Sequence, residues 1–101
     1  METMLSIDLI SSNPAVRGGQ PCIAGTGLRV TDVMIAHLFH DQTPDEIAVG
    51  FNVPLAGVYA AFAYYYEHKA ATDETIREQI DTARRLKAEW IAHGGTSILS
   101  G

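Results

Sequence analysis

Cysteine is nearly missing from this chain: Cys22 stands alone, and one thiol can build neither an internal disulfide nor a cysteine-rich metal cluster. The expected state of Cys22 is a small buried side chain with no chemical role. Long apolar runs are missing too. No stretch approaches the ~18 residues of a membrane span, and Met1 to Ile10 lacks the basic leader and cleavable apolar segment of a secreted protein, so a cytoplasmic location is expected. Basic residues are scarce. Seven Lys and Arg face twelve Asp and Glu, for a net charge of -5, which excludes a diffuse basic surface that clings to nucleic acid through its phosphates. Four of the seven, Arg77, Arg84, Arg85 and Lys87, lie in the last third, leaving Arg17, Arg29 and Lys69 before it.

Catalytic patterns are equally sparse. Gly25-Thr26-Gly27 lacks the lysine and the strand-to-helix setting of a phosphate-cradling loop. The four histidines and the cysteine form no nucleophile-base pair. His37, His40 and Asp41 fall close together, but without a further ligand their spacing fits a capped surface turn better than a metal site. No catalytic residue, metal or cofactor is therefore expected.

What is present is enough apolar material for one core. With 47% hydrophobic residues over 101 positions and no low-complexity tract, the chain should fold as one domain that buries ~65% of its unfolded surface. Leu5, Ile7 and Leu9 alternate with polar residues as in a short strand, which Ser11-Ser12-Asn13-Pro14 ends. Cys22-Ile23-Ala24 and Leu28-Arg29-Val30 flank the glycine turn as a small hairpin. Thr31 is the expected cap of a first helix carrying Val33, Met34, Ala36, Leu38 and Phe39. Thr43-Pro44-Asp45-Glu46 is a complete capping box for a second helix ending near Gly50. Pro54 opens a third helix running to about Lys69, and Asp73 caps a long fourth one that reaches His93 before Gly94-Gly95.

The tight connection between the second and third helices forces a steep crossing. Ile47 and Ala48 face inward, Phe51 closes the second helix, Asn52 takes a left-handed turn, and Val58 and Ala61 pack back, a spacing that resembles a helix-turn-helix. A plain helical hairpin has the same periodicity. A DNA-reading helix needs side chains that reach base edges, whereas the early solvent-facing positions here are Leu55, Ala56, Gly57, Tyr59, Ala60 and Ala63, so only the Tyr59 hydroxyl remains. Tyr64, Tyr65 and Tyr66 cannot all point inward, which makes Tyr64 and Tyr66 candidates for a partner or dimer interface. The last helix sets Ile76, Ile80, Ala83, Leu86 and Trp90 on one stripe, with Arg84 and Arg85 beside it. That stripe can pack on its own core or dock on a partner.

Gly19 through Val30, with the later Val58, Ala61, Tyr64, Tyr65 and His68, resembles the signature of domain-of-unknown-function family 433 over roughly residues 5 to 70. An arginine often follows the Gly-Thr pair in that family; here Gly27 stands there and the arginine comes at Arg29. The resemblance implies a mainly α protein: a short N-terminal β arm, a three-helix, homeodomain-like helix-turn-helix core and a long C-terminal helix. It also implies membership among VapB-like antitoxins encoded beside PIN-like ribonuclease toxins, with no enzymatic activity. The arm and helix-turn-helix would serve homodimerisation and operator binding, with Arg17, Arg29 and Tyr59 toward DNA. The C-terminal helix would cover the toxin, whose metal-holding acidic pocket Arg84 or Arg85 would enter, with Trp90 as anchor. The expected organisation is residues 1–70 as arm plus helix-turn-helix, 71–95 as the amphipathic helix and 96–101 as a flexible tail. Two alternatives stand beside it, a stand-alone transcriptional regulator and a structural dimeric adaptor.

Overall fold

The computed structural model describes residues 8–94. Among these residues the chain is mainly helical, with four α-helices after a short antiparallel pair of strands. Backbone contacts group the chain into two compact units, one through Lys69 and one from Ala70 onward.

The arm begins with β1 (Ile10–Ser11), which pairs antiparallel with β2 (Cys22–Ile23), Ile10 opposite Ile23 and Ser11 opposite Cys22. The strand expected at Leu5 and Ile7 lies outside the described residues; the strand that is described runs through Ser11, where polar composition suggested an end. Asn13 turns the chain: its side-chain oxygen accepts the Ala15 N-H and its carbonyl accepts the Val16 N-H. The 3-10 turn Arg17–Gly19 follows, and the Ser12 hydroxyl donates to the Gly19 carbonyl. The hairpin expected across the glycine turn is reduced to one bridge between Cys22 and Arg29, held by the Ile23 N-H on the Leu28 carbonyl and the Val30 N-H on the Pro21 carbonyl, both at 2.9 Å. Gly25, at φ 77°, and the Thr26 hydroxyl, which donates to the Ile23 carbonyl and accepts the Leu28 N-H, shape that turn.

Helix α1 (Val30–His40) starts two residues earlier than a Thr31 cap would allow. The cap position is Arg29, because the Asp32 carboxylate reaches back to accept the Arg29 N-H at 3.0 Å. Thr31 is thereby drawn into the helix and buried, and its hydroxyl finds no hydrogen-bond partner among the described residues. At the other end, Asp41 adopts a left-handed conformation and His37 Nδ1 lies 2.8 Å from the Gln42 carbonyl.

Helix α2 (Pro44–Phe51) has the capping box read from its sequence: the Thr43 hydroxyl accepts the Glu46 N-H at 3.2 Å and Glu46 accepts the Thr43 N-H at 3.0 Å. That backbone hydrogen bond holds the exposed Glu46 carboxyl below its ordinary range. Asn52 then turns left-handed at φ 54°, and the Val53 N-H closes on the Ala48 carbonyl at 3.0 Å, a tight helix ending. Pro54 is the cap of α3 (Leu55–Glu67) rather than its first residue, and α3 stops short of Lys69. Helix α4 (Lys69–Ala92) begins directly after His68, so Asp73 lies inside it and does not cap it. Ala70 and Ala71, strong helix formers, let α4 start before the acid is reached. Gly94, at φ 82°, follows its end, and the tail expected to be flexible lies outside the described residues.

In the first unit α3 packs on α1, α2 and both strands. Ile23, Val30, Val33, Met34, Ile47 and Val58 are fully buried, so the arm and all three helices feed one core. Gly57, placed on the solvent face by the sequence reading, is buried: a Cβ there would come 2.6 Å from the Ile23 Cγ2, and only glycine lets α3 lie this close to β2. Tyr65, Val58 and Ala61 are buried as their spacing suggested, whereas Phe51 is 46% exposed.

Candidate functional site

Three side chains meet where the arm reaches α1. Arg29 grips Asp32 with its guanidinium, Nε to Oδ2 at 3.0 Å and a second nitrogen to Oδ1 at 2.8 Å, while its own N-H binds the same carboxylate. The fork of the guanidinium matches the two carboxylate oxygens, which makes this pair stronger than a point-charge contact. Burial alone would raise the Asp32 carboxyl, but the hydrogen bonds from Arg29, with the charges of Arg29 and Arg17, outweigh it and hold it below its ordinary value. The Asp32 hydrogen bond raises Arg29 in turn. Burial pushes the Cys22 thiol up against the lowering charge of Arg17, which favours its protonated form.

Arg17 completes the cluster from the arm. Its guanidinium stands 3.9 Å from Asp32, beyond hydrogen-bond reach, and its side chain is 46% exposed. The backbone there is left-handed, with φ 51° at Arg17 followed by 65° and 83° at Gly18 and Gly19. A non-glycine residue held in this region carries strain that the neighbouring turn must offset.

Beside the cluster lies an open groove of about 560 Å³. Arg17 and Asp32 form its charged part. Leu28 from the arm, Ile35 and Ala36 from α1, and Phe51 and Val53 from the end of α2 and its turn form an apolar part, with His40 also on the wall. Its α1 wall runs from Asp32 to His40, and Phe51 and Val53 flank the left-handed residue Asn52. Among the described residues no group of three His, Cys, Asp or Glu could hold a metal ion. No helix among them is long and apolar enough to cross a membrane.

A family model described as "Protein of unknown function (DUF433)" matches residues 10–65, from the first residue of β1 to Tyr65 in α3. The chain belongs to the DUF433 family. No curated protein and no solved structure matches it. The DUF433 segment therefore contains the whole of the groove and the Arg17, Arg29 and Asp32 cluster, and excludes all of α4.

Within the DUF433 segment, Arg17 and Arg29 are brought together on one carboxylate, whereas Tyr59 stands apart on α3, 54% exposed, its ring 6.4 Å from that of Phe62. Arg29 is committed to Asp32; of the two arginines, Arg17 is the one with guanidinium capacity to spare. Tyr64 is half-buried and stacked on His68 at 4.2 Å, and Tyr66, just beyond the segment, is 64% exposed. In the second unit Leu86 and Trp90 are exposed, Arg85 pairs with Asp81 at 3.4 Å, and Arg84 is exposed. Sequence reasoning missed Asp32, Ile35, Phe51 and Val53 as site residues. An acid three residues after Arg29, at the start of an apolar periodic run, was the available signal for Asp32.

Proposed function

We propose that this chain is an antitoxin-like binding protein without catalytic activity, whose C-terminal helix occupies a PIN-like ribonuclease encoded beside it. The observation that carries this reading is the exposed apolar set Leu86, Trp90 and Ile91 on α4. Large apolar side chains set together in solvent lose hydration cost when a partner covers them, and a tryptophan among them is the residue type that most often dominates such an interface. Arg84 enters no ion pair among the described residues, while Arg85 is held by Asp81, so Arg84 is the better candidate to reach an acidic, metal-holding pocket. The antitoxin role that the resemblance to DUF433 implies fits the same assignment. Co-expression with the neighbouring gene product tests it: the wild-type chain should form a complex and relieve toxicity, and Arg84→Ala with Trp90→Ser should lose both while remaining folded. Absence of a complex and of relief for the wild type would refute it.

The connection at Asn52 favours a second, compatible activity. A left-handed residue between two helices, with Val53 closing on Ala48, is what a helix-turn-helix requires, and we infer operator binding by a homodimer through a homeodomain-like core. The exposed face of α3 offers Leu55, Ala56, Tyr59 and Ala63, so affinity would rest on phosphate contact by Arg17 more than on base readout. Binding to its own promoter should weaken steeply with salt and fail in Arg17→Ala; salt-insensitive binding would exclude it.

A further inference from the structure

The groove beside the cluster has an apolar part that neither toxin nor operator binding uses, next to the same Arg17 that the operator reading assigns to phosphate. Its charged part is Arg17 and Asp32; Asp32 gives its hydrogen bonds to Arg29 behind the wall and meets Arg17 only at 3.9 Å, so the cluster of two guanidiniums and one carboxylate is left with one net positive charge, carried by Arg17 on the groove side. Its apolar part is built from Ile35, Phe51 and Val53, and Phe51 is large, half-exposed and without a ring partner among the described residues. The volume, about 560 Å³, lies within the range of small-molecule sites, which combine an apolar lining with a few convergent polar groups.

We propose that this groove binds a small apolar carboxylic acid, with the carboxylate on Arg17 and an aromatic or branched aliphatic body against Phe51 and Val53. A single surplus cation matches a single carboxylate. A nucleic-acid backbone would engage Arg17 through a phosphate and leave Ile35, Phe51 and Val53 unused, whereas an apolar acid uses both parts of the groove. The left-handed backbone at Arg17 is consistent with a side chain held in one direction for contact, since strain of this kind gathers at binding positions. The site requires only the first unit and is independent of what α4 binds.

The test is titration of the full chain with 3-phenylpropanoate, followed by amide NMR shifts and calorimetry, alongside 3-phenylpropanamide and a capped tripeptide ending in a phenylalanine carboxylate. Saturable binding of the free acid, with shifts centred on Arg17, Ile35 and Val53, is expected. The amide should bind at least about tenfold more weakly, since it loses a charge-assisted contact. Arg17→Gln should weaken the acid by about the same factor, Arg17→Lys should restore most of the affinity, and Phe51→Ala should weaken acid and amide alike. Equal binding of acid and amide, or unchanged affinity in Arg17→Gln, would overturn the proposal. So would binding of the tripeptide alone, which would make the site a receptor for a chain end, or shifts of the same amides by duplex DNA and by no carboxylate.

Discussion

Gly57→Ala and Gly50→Ala are the same substitution at two helical glycines, and the structure assigns them opposite signs. Replacing a helix-interior glycine with alanine stabilises by up to ~1 kcal/mol, because the unfolded chain loses conformational freedom. At Gly50 in α2 nothing lies within 4 Å of the added Cβ, so that gain should appear undiminished by contact, moderated only by the nearness of the helix end. At Gly57 the Cβ would meet the Ile23 Cγ2 at 2.6 Å, and Ile23 is itself fully buried in the core. Overpacking of this kind costs about 1–3 kcal/mol, which exceeds or cancels the helical gain. Comparing the two variants removes the propensity contribution, so Gly57→Ala should be less stable than Gly50→Ala by about 1–3 kcal/mol, or roughly 4–8 °C in Tm for each kcal/mol. Thermal and urea unfolding followed by circular dichroism measure the difference. In an Ile23→Ala background, where the clashing methyl is gone, Gly57→Ala should become stabilising. Equal gains at both glycines in the wild-type background would mean that α3 does not lie against β2, and the packing of arm on core would have to be redrawn.

Asp32→Ala should destabilise the first unit by about 2 kcal/mol at neutral pH, through loss of charge-assisted hydrogen bonds and of the α1 cap. Because the folded carboxyl titrates below the unfolded value of about 3.9, this contribution is present above that pH and disappears as pH falls through the folded pKa. Unfolding curves of wild type and variant should therefore converge in acid; a gap that persists there would deny the charged clamp its role. Thr31→Val keeps the shape and removes an unpaired buried hydroxyl, so chemical denaturation should find it neutral or stabilised by up to ~1 kcal/mol, and a loss of more than 1 kcal/mol would reveal a hidden partner. Asn52→Gly should change stability by only a few tenths of a kcal/mol, while Asn52→Ala should cost about 1 kcal/mol, since alanine resists the left-handed turn; equal effects would show that φ at this position relaxes.

Local chemistry was legible wherever the interacting groups are close in sequence. The capping box at Thr43 and Glu46 is complete within four residues, and the turn at Asn52 follows from a small polar residue set between two apolar helical patterns. Both appear in the fold as the sequence implied. The start of α1 was misplaced because two caps competed: Thr31 has the better cap side chain, yet Asp32 together with Arg29 forms the stronger contact and moves the boundary. Asp73 misled for the complementary reason, since an acid marks a helix start only if the residues before it are poor helix formers, and Ala70 and Ala71 are good ones.

Sequence by itself determined the helix count, the periodic core positions Val58, Ala61 and Tyr65, the family likeness and the scarcity of basic residues that rules out diffuse phosphate binding. Tertiary structure alone decided that Gly57 faces a strand, that Arg17 and Arg29 share one carboxylate, and that Phe51 and Val53 line a groove with Arg17. The physical reason is separation along the chain. Periodicity records which face of a helix is apolar, but it carries no information about which remote segment lies against that face, and residues 17, 32 and 51 become neighbours only when the arm closes over the ends of α1 and α2.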